Sequence, residues 1–220
     1  MISRLPKWIE YGALLLALVA GLINAIALVG FAHQSVSHLS GTATLLGSAI
    51  GELEAATILH LTGIVAAFVL GAALSGVMLH DTTLQLGRHY DTALVLEAAF
   101  IFLALYLFNL HSPWAYLAAA AACGLQNALA TTYSGAVVRT THLTGIFTDL
   151  GLMLGALLRG EAFDRRKLKL FLMIIFGFML GGGVGALLFD HFRYGALVLP
   201  GVMCLLLALV YRLYSKKQGQ

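Results

Sequence analysis

Two polar blocks stand 104 positions apart in an otherwise apolar chain: Ser37-His38-Leu39-Ser40-Gly41 and Thr141-His142-Leu143-Thr144-Gly145. Each is preceded by an asparagine motif, Gly21-Leu22-Ile23-Asn24-Ala25-Ile26-Ala27 and Gly124-Leu125-Gln126-Asn127-Ala128-Leu129-Ala130. Each is followed by the same ordered residues, Thr44, Leu46, Gly47 and Gly51 matching Thr148, Leu150, Gly151 and Gly155. Imidazoles such as His38 and His142 can carry a proton, donate a hydrogen bond or bind a metal. Asn24 and Asn127 can hydrogen-bond a solute, or satisfy broken backbone nearby. Substrate binding by Asn24, His38, Ser40, Gly41, Thr44, Asn127, Thr141, His142, Thr144, Gly145 and Thr148 is one reading; locking a helix break is the other.

Charged residues inside the apolar chain add candidates, because an intramembrane charge is a functional hypothesis by default. Arg139 and Asp149 lie only in the second block's half, where they pair with each other or Arg139 reaches cytoplasmic water. Glu97 falls about 9 Å along a helix from Asp91, where it relays protons or pairs near the interface. Proton coupling is therefore assigned to His38, His142, Arg139, Asp149 and Glu97. No metal centre and no cofactor are expected, since no H-x-x-x-H spacing occurs. Cys123 and Cys204 lie in apolar runs without C-x-x-C spacing and read as small buried hydrophobes.

These residues need a scaffold, and composition decides which. Of 220 residues, 60% are hydrophobic and 10% charged, against about 25% charged in a soluble domain. That excludes an ordinary cytosolic enzyme, a nucleic-acid reader and a disordered chain. The partner implied is a lipid bilayer, and the class is all-α and polytopic. Six spans read as roughly Trp8–Phe31, Ala55–Leu79, Asp91–Leu110, Trp114–Ser134, Leu168–Leu188 and Tyr194–Leu213. Trp8, Tyr11, Tyr90, Trp114, Tyr116, Tyr194, Tyr211 and Tyr214 sit at span ends, as an interfacial belt should. With both termini cytoplasmic, twelve Lys/Arg (Arg4, Lys7, Arg88, Arg139, Arg159, Arg165, Arg166, Lys167, Lys169, Arg212, Lys216, Lys217) lie inside and only Arg193 outside, which sets the orientation. The first apolar run is too long for a signal-peptide core and part of it recurs later, so it reads as a span.

The recurrence makes two repeats, about 8–110 and 114–214, in a single membrane domain over 1–220. A weaker echo matches Phe68-Val69-Leu70-Gly71 to Phe178-Met179-Leu180-Gly181. Three spans per repeat is an odd number, so the second copy enters from the opposite side and the repeats are inverted. A helix over Thr42–Leu79 would be about 57 Å long, nearly twice the hydrocarbon core of about 30 Å, so a break is required. Ile146–Leu158, at about 20 Å, is too short to cross. Half-helices are therefore expected at Thr42–Leu53 and Ile146–Leu158, with Ser40-Gly41 and Thr144-Gly145 as caps. Their free N-termini would converge near mid-membrane and favour an anion or polar solute. The ladder Gly177, Gly181, Gly185 and the pair Gly47/Gly51 read as packing faces.

With these paired motifs the chain resembles the YoaK-like family, bacterial six-span inner-membrane proteins with a domain of unknown function. The resemblance covers essentially the whole chain. It implies a bacterial inner-membrane location and a transport role, and supplies no substrate, cofactor or catalytic residue.

The expected function is a secondary transporter or exporter of a small polar or anionic metabolite, coupled to protons in one version, working by one repeat rocking on the other. The alternatives are an accessory or structural membrane protein, or a membrane-embedded enzyme acting on a lipid or quinone. No G-x-S-x-G, H-E-x-x-H or Walker motif is present, so enzyme and primary pump rank below transport. A homodimer is compatible with so small a unit.

Overall fold

The computed structural model describes residues 7–79, 89–134, 138–162 and 164–217; Arg4 and Arg88 of the orientation count lie outside them. Among the described residues the fold is helical throughout. Six long helices are α1 (Lys7–Val29), α3 (Ala55–Met78), α4 (Tyr90–Asn109), α5 (Trp114–Tyr133), α7 (Arg165–Phe192) and α8 (Val198–Lys217). Two short ones, α2 (Leu39–Gly51) and α6 (Leu143–Leu158), follow the polar blocks. A 3-10 turn, Arg193–Leu197, joins α7 to α8.

Local chemistry explains where the elements stop. The break expected between Thr42 and Leu79 falls at Glu52–Glu54, where Leu53 takes a positive φ of 57°. Gly160, at φ +80°, ends α6, and glycine adopts that conformation without Cβ strain. Asp164 caps α7, its carboxylate accepting from the backbone N–H of Arg166 and Lys167 at 3.0 Å each, two of the unpaired donors of a helix start.

Among the described residues four stretches are long and apolar enough to cross a membrane: Glu10–Val29, Ala55–Met78, Tyr90–Asn109 and Arg165–Ser215, the last covering both α7 and α8. Their outward faces are apolar; Leu59, Val77 and Leu187 are largely exposed, a pattern suited to lipid. α5 is absent from this group, although Trp114–Ser134 reads as a span in the sequence. Gln126, Asn127, Thr131 and Thr132 lower its hydropathy, and the structure gives the reason. Of its 20 residues, 14 are buried, so its environment is protein rather than lipid.

The long helices pair crosswise between the two halves of the chain. α1 packs along α7, and α3 along α5. A methyl built on Gly21 would overlap the Phe178 carbonyl oxygen, and one on Gly124 would overlap the Phe68 carbonyl oxygen. Conversely, Gly71 leaves no room beneath the Ala121 carbonyl, nor Gly181 beneath that of Leu18. These four crossings map onto one another under the sequence repeat, Gly21 with Gly124, Phe178 with Phe68, and Gly71 with Gly181. Backbones this close need glycine at each contact.

α4 and α8 form a third pair, tied at one end within α8 and at the other through the 3-10 turn that leads into it. Tyr90 meets Tyr211 with ring centroids 4.5 Å apart, and Phe108 stacks on Tyr194 at 4.5 Å. The apolar interior divides into two clusters at opposite ends of the bundle. One holds Ile26, Ile101, Phe108 and Tyr116; the other holds Leu16, Leu94, Leu129 and Tyr133. At the second end Glu10, almost fully buried, bonds Arg166 at 2.7 Å and pairs with Lys169 at 3.4 Å, fastening α1 to the start of α7.

Candidate functional site

Each polar block is held by the asparagine that precedes it. In the first, the Asn24 side-chain oxygen accepts from Ser35 Oγ at 2.7 Å, Ser37 Oγ at 2.9 Å, Ser37 N at 3.2 Å and Val36 N at 3.3 Å. In the second, Asn127 Oδ1 accepts from Thr140 Oγ1 at 3.3 Å and Thr141 N at 3.4 Å, and its amide donates to Thr141 Oγ1 at 2.5 Å. Ser37 and Thr141 are repeat-related, so both copies fold the chain back onto an asparagine one helix earlier. The loop backbone gains the partners that a helix would have supplied.

His38 and His142 then start the short helices. They, and not Ser40 or Thr144, occupy the N-cap positions, and neither caps through its side chain. The correction has a physical cause. The loop bonds to asparagine end at residues 37 and 141, so helical geometry begins at once and Ser40-Gly41 and Thr144-Gly145 fall in the first turn. Both imidazoles fold over that turn. A methyl on Gly145 would overlap His142 Nε2, and one on Gly41 would crowd His38 Cδ2 at 3.1 Å. His38 Nε2 lies 3.3 Å from Ser40 Oγ. Thr44 and Thr148 hydroxyls donate back to the Ser40 and Thr144 carbonyls, both at 3.0 Å.

His38, Ser40, Thr44, His142, Thr144 and Thr148 are exposed on this chain. α2 rests on α3 and α6 on α7, and the two short helices do not pack along each other. Their connection runs through α1 and α5, where Gln126 donates to the Leu16 carbonyl at 3.1 Å. Four further residues belong to the clamp without having stood out in the sequence. Gln34 donates to Thr42 Oγ1 at 3.2 Å, Ser35 bonds Asn24, and Thr140 lies between Gln126 Oε1 at 3.4 Å and Asn127. A readable signal existed for Gln126, a polar residue where the first copy has Ile23.

The charged candidates separate. Asp149 pairs with Lys167 at 3.4 Å, and the pairing with Arg139 does not form; Arg139 is exposed. Glu97 is completely buried. Among the described residues no N–H or O–H donor reaches its carboxylate oxygens, and the Cys204 thiol stands beside it. Among the described residues no three His, Cys, Asp or Glu side chains converge as a metal site would require.

A family described as "Protein of unknown function (DUF1275)" matches residues 12–210, from the first long helix to the last. The chain belongs to that family. No curated protein and no solved structure matches it. The DUF1275 match encloses both asparagine clamps, both short helices and Glu97, so the whole arrangement lies inside the family's domain.

Proposed function

We propose that this DUF1275 chain is a small secondary transporter or exporter of a polar or anionic solute. Its six long helices cross a bacterial inner membrane as two inverted repeats, with both termini in the cytoplasm, and its paired motifs resemble those of YoaK-like proteins. The observation that carries the reading is the duplicated break: two short helices, each launched from an asparagine-clamped loop with an exposed histidine at its first turn. Non-helical backbone at membrane depth is tolerated only where protein buries it or water lines it. Helix starts with unpaired N–H groups suit a polar or negative solute. Glycine-sealed crossings that obey the repeat support the inverted arrangement, because each half supplies the partner of the other.

The test begins with a panel of small organic anions and zwitterions scanned for a rise in melting temperature, since a ligand of the native state stabilises it. A compound that binds is then followed into proteoliposomes with and without a pH gradient. Saturable flux, reduced at least about tenfold by His38→Ala with His142→Ala, is the expected result. Flux at the empty-liposome rate for every binder overturns the proposal.

One observation favours a second reading. The hydrogen bonds of Asn24 and Asn127 are spent on their own loops, as in an accessory membrane protein whose polar blocks only lock helix breaks. The double histidine variant would then leave the cell's phenotype unchanged.

A further inference from the structure

α4 packs along α5 on one side and along α8 on the other. Along α5 it is sealed: Ala104 and Phe108 on one side, and Ala115, Tyr116 and Ala119 on the other, are all fully buried, and Phe108 meets Tyr116 edge-on at 4.9 Å. The repeat-related seam lies between α8 and α1, and it is open. Those helices touch only sparsely, and between them runs an apolar groove of about 300 Å³ lined by Trp8, Gly12, Leu15, Tyr90, Leu207 and Val210. One of two equivalent seams is thus closed and the other open, while α4 and α8 stay clasped at both ends.

Glu97 sits where the closed seam meets that clasp. It falls between Leu94 of one apolar cluster and Ala98 of the other. The ionisable groups facing it are Cys204 of α8, Cys123 of α5 and Tyr90 of its own helix. An ionised carboxylate there would have no cation and no strong donor among the described residues, which is prohibitively costly in an apolar core.

We propose that Glu97 is a proton-binding site, and that it is uncovered when the α4–α8 pair swings toward α1, filling the open groove and parting α4 from α5. The carboxyl holds its proton while the seam is sealed; with the seam open, the O–H bond breaks and the proton passes to water. The proposal rests on the transport reading for its purpose, but its chemistry can be tested without any solute.

The probe is dicyclohexylcarbodiimide, a membrane-permeant reagent that adds a protonated carboxyl across its N=C=N group and leaves an acylurea after O-to-N rearrangement. It is applied to the full-length protein in liposomes, and the adduct is located by mass spectrometry. The expected result is modification of Glu97 that slows as pH rises and is absent in Glu97→Gln. Filling the groove should hold the seam shut, so Gly12→Leu should slow modification about tenfold. Among the described residues a methyl at Gly12 meets only the Tyr133 hydroxyl, at the van der Waals distance of 3.6 Å, and Gly12 lines the groove, so the larger side chain extends into it. Val210→Trp, at a largely exposed position, is the second wedge. No adduct at any pH, or labelling indifferent to both wedges, overturns the proposal and leaves the transport reading standing. Labelling as expected, with no flux of any solute, would instead overturn the transport reading alone.

Discussion

At the scale of single residues, the two asparagines carry the most testable burden. Replacing Asn24 by Ala leaves two backbone N–H groups and two hydroxyls without their acceptor. A buried donor left unsatisfied costs about 1–3 kcal/mol. Asn127→Ala frees a single backbone N–H, that of Thr141, and removes a donor from the Thr141 hydroxyl, while the Thr140 hydroxyl keeps Gln126 as an acceptor. We expect both variants to melt earlier in detergent, Asn24→Ala by more, and equal shifts would contradict the hydrogen-bond account. The importance of these asparagines was legible because a polar side chain recurring in lipid-like sequence has few idle explanations. Which atoms they bond was not legible, since it depends on how the loop folds back. Gln126 and Thr140 escaped notice for the same reason: their partners lie on other elements, and only Asn127 shares a repeated motif with them.

Among the elements, helix positions were read closely, because long apolar runs bounded by aromatics and glycines leave little freedom. Both short helices also follow from length alone, as a 38-residue helix cannot fit the bilayer and a 13-residue one cannot cross it. Their first residues were misplaced because capping was assigned to Ser and Thr by preference, while the asparagine clamp sets where helical geometry begins. The packing faces were only half legible. Gly177, Gly181 and Gly185 were recognised as a close-packing ladder, and the structure shows them against α1. The pair Gly47/Gly51 was not separable from them by spacing, yet among the described residues nothing outside their own helix lies within 4 Å of a methyl at Gly47 or Gly51, nor at the repeat-related Gly151. A substitution series measures the difference. Gly71→Ala and Gly124→Ala force a methyl into backbone and should each cost at least about 1–3 kcal/mol. Gly47→Ala and Gly151→Ala should leave the melting temperature within error, or raise it slightly through helix propensity. Equal losses in both groups would dismiss the crosswise packing.

For the whole molecule, the sequence showed two copies of one pattern but not which helices touch. Sequence similarity relates α1 to α5 and α3 to α7, whereas tight packing joins α1 to α7 and α3 to α5. Rocking of one intact repeat against the other would have to tear those glycine crossings apart. The proposed movement of the α4–α8 pair would leave them closed. The same topology predicts how the chain responds to division. Expressed separately, residues 1–112 and 113–220 should each be degraded or aggregate; expressed together, they should copurify through a tag on one of them. A monodisperse, stable N-terminal half would contradict this account.

The crosswise glycine crossings also bear on how such a chain could arise. A polypeptide with the first four helices alone would present Gly21 and Gly71 with no backbone to rest against. Were the repeats inverted as proposed, its natural complement would be an identical molecule inserted upside down. Within the inverted-repeat proposal, joining two such copies end to end fixes their opposed directions permanently and frees each half to drift, as the unmatched Arg139, Asp149 and Gln126 already have.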